Sequence, residues 1–376
     1  MPRTTFFSQI DWVLAICVVP IIAAGLITMK SFGVEEGLGV FGKQLIWVVV
    51  GFGIFFIFSK IDFRFLKRTD VVVTLFAFFC GLLLLLFILG HTAKGAQSWF
   101  DFGGFSFQPS DMMKIVVIII LAKYFSRRHV EIAHMKHIFI SALYAFIPFT
   151  LVFLQPDFGS AIIILFIWFG MALISGISRK HLIVVCMLGL VAFGSLWLFV
   201  FQPYQKARIL NFVHPLRDIR GTGYNAYQSV IAVGSGEFLG KGIGHGTQSH
   251  LQFLPEYETD FIFAAFAEEW GFLGAILLLI FYAVLLWRVL DTALHGSSNF
   301  EILFGVGFAI FIMSHILINI GMNIGLMPVT GITLPFMSYG GSHLVAEFMA
   351  LGILSSMRSY SRAVHRDDLR HEFVGY

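Results

Sequence analysis

Long apolar runs separated by short polar links dominate the chain. A helix crossing a bilayer core about 30 Å thick needs roughly 20 apolar residues. Runs of that order lie near residues 10–29, 43–59, 71–90, 110–125, 137–155, 159–177, 181–201, 261–287, 300–323 and 341–357. The pattern predicts an all-α polytopic membrane protein with about ten transmembrane helices, residues 1–376 forming a single transmembrane domain. The first run is followed at once by further spans and has no small-residue cleavage site, so it reads as a span rather than a signal peptide.

One link is far longer than the others. Residues 202–260 form a large extracytoplasmic loop between helices 7 and 8. Such a loop in a compact protein is either functional or disordered, and the apolar anchors Ile209, Phe212, Tyr224, Tyr227 and Phe253 predict order. Around Tyr224, Tyr227 and Ile231 the spacing suits a short amphipathic helix lying in the membrane interface. Residues 91–109 and 325–341 are irregular too, and Pro328, Gly331, Pro335, Gly340 and Gly341 forbid a continuous helix through the second. Non-helical backbone at membrane depth persists only when buried in protein or lining a wet cavity. All three irregular segments fall on one side, which predicts a cavity opening outward.

Composition agrees with the pattern: 58% of residues are apolar, 12% are charged and 44 are Phe. With ten spans both termini share a side, and that side collects sixteen of the 25 basic residues against eight opposite, Lys114 remaining inside a helix. Five of the eight, Lys206, Arg208, Arg217, Arg220 and Lys241, sit in the long loop. The positive-inside rule places both termini in the cytoplasm. Cys17, Cys80 and Cys186 fall within predicted helices, and no disulfide framework or CxxC metal pattern exists.

Charges at membrane depth need a partner or a task. Asp111 and Lys114 share a face at the start of the fourth span, and Asp157 lies in the QPDFGS link after the fifth, so a Lys114–Asp157 pair fixing the cavity wall is expected. Thr259 is expected to cap the eighth helix, putting Asp260 in its first turn at the cavity mouth, as a general base for a hydroxyl. Glu268 and Glu269 form a second acidic pair, read as supporting Asp260. His315, Asn319 and Asn323 recur every fourth residue on one helical face and are expected to bond neighbouring helices, as is Glu347 in the last span. The run GSGEFLGKGIGHG fails as a Walker loop, since Ser235 and Gly242 stand where Gly and Ser or Thr are required. Its amides, with Lys241 and Arg208, remain candidates to hold an anionic lipid pyrophosphate. His245 and His250 make no metal motif.

The segments GAQSWFDFGGFSFQPSDMMK, QPDFGSA, GTGYNAYQSVIAVGSGEFLGKGIGHGTQSHLQFLPEYETDFIFAAFAEE and NIGMNIGLMPVTGITLPFMSYGGS occur in an order that resembles the RodA/FtsW/SpoVE family over nearly the whole chain. The LQFLPE and TDFIFA wording is nearer to the RodA, cell-elongation branch. The resemblance implies a peptidoglycan glycosyltransferase of the bacterial cytoplasmic membrane that polymerises lipid II, with undecaprenyl pyrophosphate leaving by inverting transfer. It carries the essential aspartate onto Asp260 and the cavity residues onto Trp99, Lys114, Asp157 and Arg208. Ser98 replaces the Arg that commonly precedes the tryptophan, and Asp111 replaces the usual Glu. The resemblance also implies a class B penicillin-binding protein as transpeptidase partner, expected to dock on the exposed apolar faces of the eighth and ninth spans. Beyond lipid II and membrane lipids no ligand is implied: no nucleic acid, no resident metal, and a divalent cation (Mg or Mn) as the one candidate cofactor. A lipid II flippase is the alternative from another class, though a transporter's related halves are missing. A non-catalytic scaffold is disfavoured by the charges converging on one cavity.

Overall fold

The computed structural model describes residues 10–32, 39–93, 96–101, 103, 106–127, 135–214, 218, 221, 223–251 and 253–372. Arg217 and Arg220, counted above with the outer basic residues, lie outside them. Among the described residues each predicted span coincides with a helix: α1 (Trp12–Ser31), α2 (Gly39–Phe58), α3 (Thr69–Leu89), α4 (Pro109–Ser126), α5 (Met135–Leu154), α6 (Phe158–Ile174), α7 (Arg179–Phe199), α11 (Ile262–Leu294), α12 (Asn299–Asn323) and α13 (Gly341–Glu372). Three shorter helices, α8 (Pro203–Val213), α9 (Tyr224–Ser235) and α10 (Thr247–His250), belong to the long loop.

Seven of the long helices are sufficiently long and apolar to cross a membrane: α1, α2, α3, α5, α7, α11 and α12. Helix α6 is apolar but has 17 residues. Helices α4 and α13 carry the buried charges Asp111, Lys114, Lys123 and Glu347. Their position explains the tolerance. Helix α4 is the hub of the bundle, buried along almost its whole length and packed by α3, α5, α6, α12 and α13, so its side chains meet protein rather than lipid. Helix α7 is the opposite case, with no buried residue.

Close packing uses small residues, as expected where lipid supplies no hydrophobic drive between helices. A Cβ on Gly51 of α2 would lie 2.3 Å from the Phe348 ring of α13, and one on Gly305 of α12 would lie 2.4 Å from Ala293 of α11.

The irregular segment at 91–109 folds in part as a small antiparallel sheet, β1 (His91–Ala93), β2 (Ala96–Asp101) and β3 (Ser106–Phe107), in that order. These residues, expected to be irregular, pair their backbone groups with each other and pack on α3, α4 and α13. The predicted amphipathic helix is α9. It rests on α11 and α12 through buried Ser229 and Ala232, so one of its faces meets protein.

Candidate active site

Asp260 lies on the turn that leads into α11. The helix starts at Ile262 with Phe261 as its N-cap, so Asp260 precedes the first turn and Thr259 does not cap it. Instead, the amides of Thr259 and Phe261 both donate to the Glu256 carbonyl (3.2 and 3.1 Å), and the Thr259 hydroxyl donates to the Glu256 carboxylate at 3.0 Å. Glu256 adopts the left-handed region, φ +55°, and this closes the turn one residue early.

The half-buried Asp260 is held by its main chain. Its carbonyl accepts the side-chain amides of Asn319 (2.9 Å) and Asn323 (3.1 Å). Asn319 also donates to the Ile332 carbonyl at 2.7 Å, and the Asn323 side-chain oxygen accepts the Ala264 amide at 3.1 Å. One helical face thus ties together the start of α11 and the 325–340 segment. His315, on the same face, bonds the Thr333 carbonyl at 3.1 Å. The Asp260 carboxylate faces Gly331, where a Cβ would lie 3.5 Å from Oδ2 and where φ is +75°. Ser338 donates to the Thr259 carbonyl (2.7 Å), and the Tyr339 amide donates to the Glu258 carbonyl (2.9 Å). Burial, and then the Glu258 carboxylate, push the Tyr339 phenol above its usual range.

Beside this turn runs a groove lined by Pro156, Phe158, Phe201, Arg208, Pro328 and Thr330, among others. Asp157 is the N-cap of α6, accepting the Ser160 amide at 3.0 Å and the Gln108 side chain at 2.8 Å. Gly159 lets this link approach the far wall, since a Cβ there would meet the Thr330 carbonyl at 2.7 Å. Trp99, half-buried in β2, is brought to the same link by its neighbour Ser98, whose hydroxyl donates to the Gln155 carbonyl. Arg208 stands exposed on α8, a cation on a groove that is otherwise largely apolar. Such a lining suits a hydrocarbon chain ending in a phosphate.

Two expected partnerships are corrected. Lys114 pairs with Asp111 at 3.0 Å inside the bundle, not with Asp157; one helical turn between them sufficed, and the Asp157 carboxylate is taken up by Gln108 and the helix cap. Lys241 pairs with the buried Glu268 at 2.7 Å, and Glu268 further accepts the Gln248 amide. Glu269 accepts the Ser31 hydroxyl and the Gly244 amide. The glycine-rich run therefore wraps the acidic pair of α11 instead of presenting an anion cradle. Gly240, Gly242 and Gly244 all have positive φ.

A family profile described as "Cell cycle protein", covering FtsW, RodA and SpoVE, matches residues 3–363. Stage V sporulation protein E of Bacillus subtilis (strain 168) is 34% identical over 367 residues, 96% of this chain and 100% of that protein. The chain belongs to the FtsW/RodA/SpoVE family. The peptidoglycan glycosyltransferase MrdB of Escherichia coli (strain K12) is 38% identical over 76% of this chain and 77% of that protein. The solved structure of a peptidoglycan synthase complex, described as coordinating polymerization and crosslinking, superposes with TM-score 0.80 at 29% identity, covering 94% of this chain and 99% of that one. The rod shape determining protein RodA of Thermus thermophilus gives 0.69 at 29% identity, over 96% and 98%. In this FtsW/RodA/SpoVE protein, Arg208 lines the groove, Asp157 stands between its lining residues Pro156 and Phe158, Asp260 faces Gly331 next to lining residue Thr330, and Trp99 follows Ser98, which bonds the Gln155 carbonyl. Lys114 belongs to a separate buried ion pair, and Lys241 to a half-buried one with Glu268. The part in holding Asp260 played by Asn319 and Asn323 was signalled only by their four-residue spacing.

Proposed function

We propose that the protein is a peptidoglycan glycosyltransferase that polymerises lipid II at the outer face of the cytoplasmic membrane, crossing it ten times with both termini inside, and that it serves cell elongation. The observation that carries the reading is Asp260, its carbonyl held by Asn319 and Asn323 and its carboxylate facing Gly331, next to Thr330 of a mainly apolar groove bearing Arg208. Asp260 accepts the proton of a sugar 4-hydroxyl on one lipid II. The freed oxygen attacks the anomeric carbon of the growing chain, and the bond to undecaprenyl pyrophosphate breaks with its electrons leaving on the phosphate oxygen. Arg208 meets the developing negative charge, and the prenyl tail lies along Phe158, Phe201 and Pro328. Lys241, neutralised by Glu268, is left out of that role. Among the described residues no group of three His, Cys, Asp or Glu side chains is arranged to hold a metal, and no step is drawn through Mg or Mn.

The partner we infer is a class B penicillin-binding protein, by analogy with the solved synthase complex. Helix α11 offers a docking face with exposed Phe272, Leu273, Ile276, Leu277 and Ile280. Helix α12 does not share it equally, because most of it is buried and Met313 and Leu317 are its large exposed apolar side chains along the span.

The test is lipid II polymerisation by the purified chain in liposomes, read as glycan length on gels. Asp260→Asn is expected to abolish product while the thermal unfolding profile stays put. Full activity in that variant would overturn the assignment, and lipid II translocation without polymer would favour a flippase.

A further inference from the structure

In the bundle interior, α4, α12 and α13 bring together five buried titratable side chains that no step above uses: Asp111, Lys114, His315, His343 and Glu347. Asp111 accepts Lys114 at 3.0 Å, the Ser342 hydroxyl at 2.8 Å and His343 Nδ1 at 3.3 Å. On the other side of the same ring, His343 Nε2 lies 3.0 Å from Glu347 Oε1, a charge contact rather than a directed hydrogen bond. The second Glu347 oxygen accepts the Phe336 amide at 2.9 Å.

A ring between two carboxylates constrains the proton count. Asp111 and Glu347 ionised with Lys114 charged and His343 neutral would bury one uncompensated negative charge, which a low-dielectric interior strongly opposes. One proton makes the cluster neutral. His315 does not take it. Its Nδ1 faces the Thr333 carbonyl, which only accepts, and its buried Nε2 has no hydrogen-bond partner among the described residues. The two rings also lie only 4.7 Å apart between centroids, so a cation on one excludes a cation on the other. Tyr282 of α11, the remaining titratable neighbour of Glu347, donates its hydroxyl to the Pro335 carbonyl at 2.7 Å.

The cluster also grips the 333–338 segment. Glu347 holds the Phe336 amide where the backbone is left-handed, φ +59°, while His315 and Tyr282 hold Thr333 and Pro335. Through Ser338 and Tyr339 this segment bonds the turn bearing Asp260, and through Gly331 it meets the Asp260 carboxylate. We propose that His343 carries a proton on both ring nitrogens between Asp111 and Glu347, and that this neutral ion cluster is a positioning device for Asp260. Only the second half rests on the transferase reading.

The full chain, labelled with 15N-histidine and held in lipid nanodiscs at neutral pH, tests the first half. The resonances missing from His343→Gln are expected to show both ring nitrogens protonated. A neutral ring, with one bare nitrogen, would overturn the proposal whether or not the protein polymerises lipid II. For the second half, His343→Gln is expected to lower polymerisation at least tenfold or so, together with thermal stability, because it leaves a net buried charge. Adding Glu347→Gln restores charge balance and is expected to recover stability and a good part of the rate. A double variant no better than the single one would reduce His343 to a packing role. If wild-type protein makes no polymer, the transferase reading falls, while the nitrogen signature and the stability rescue still decide the cluster.

Discussion

The Asp260 carbonyl is held by two side-chain amides, those of Asn319 and Asn323. Removing an Asn side chain strands buried groups: the Ala264 amide loses its acceptor in Asn323→Ala, and the Asp260 carbonyl loses one of its two donors. Each stranded group costs roughly 1–3 kcal/mol. Asn323→Ala is therefore expected to lower the melting temperature and reduce polymerisation by about tenfold or more, because a small misplacement of a base is costly. Asn323→Asp, which keeps the acceptor and loses the donor, should retain the Ala264 bond but repel the Asp260 carbonyl. Its rate should fall to a similar extent, measured by single-turnover polymerisation beside thermal unfolding. The sequence showed that His315, Asn319 and Asn323 share a face, since four-residue spacing fixes that. It could not show what they face, because the partners lie in a turn some sixty positions away (319 to 260). Lys114 failed for a related reason: two carboxylates were available to it, and sequence spacing does not say which one a bundle leaves in reach.

At the scale of elements, periodicity and apolar run length placed all ten long helices within a few residues at most ends, because lipid exposure forces each span to be helical and continuous. The largest difference is α13, which runs on to Glu372, well beyond the apolar stretch. What run length could not signal is backbone irregularity within a helix. Helix α11 breaks at Gly271, φ +66°, and the amides freed there, Phe272 and Leu273, are taken by the carbonyls of Glu237 and Phe238 in the long loop. A Cβ on Gly271 would lie 2.2 Å from the Gly240 amide nitrogen, so both φ and space require glycine. Gly271→Ala is expected to destabilise the protein by about 2 kcal/mol or more, from left-handed strain plus displacement of the loop. Gly189→Ala, in α7 with open space around it, should be neutral or slightly stabilising through helix propensity. Thermal unfolding of the two variants in one detergent separates a specific dock from general sensitivity to substitution. The glycine run read from sequence as an anion cradle is, by this account, a seat for the break in α11.

At the scale of the whole molecule, orientation decides whether the groove meets its substrate. Counting links and tails together, basic residues on the terminal side outnumber those opposite two to one, and with ten spans the groove, α8 and the Asp260 turn all fall on the side that holds fewer. Lys and Arg resist translocation in short links, so the poorer side should be extracytoplasmic. This is open to a direct check. With Cys17, Cys80 and Cys186 replaced by Ala, a single cysteine introduced by His245→Cys in the long loop should react with a membrane-impermeant maleimide in intact cells. Arg64→Cys, at an exposed position between α2 and α3, should react only after the membrane is permeabilised. Position 245 is exposed and its ring bonds only the local Ile243 carbonyl, so the substitution leaves the Glu268 and Glu269 network in place. The opposite labelling pattern would open the groove to the cytoplasm, where it could not deliver polymer to a wall outside the cell, and the transferase assignment would have to be abandoned however well Asp260 is placed.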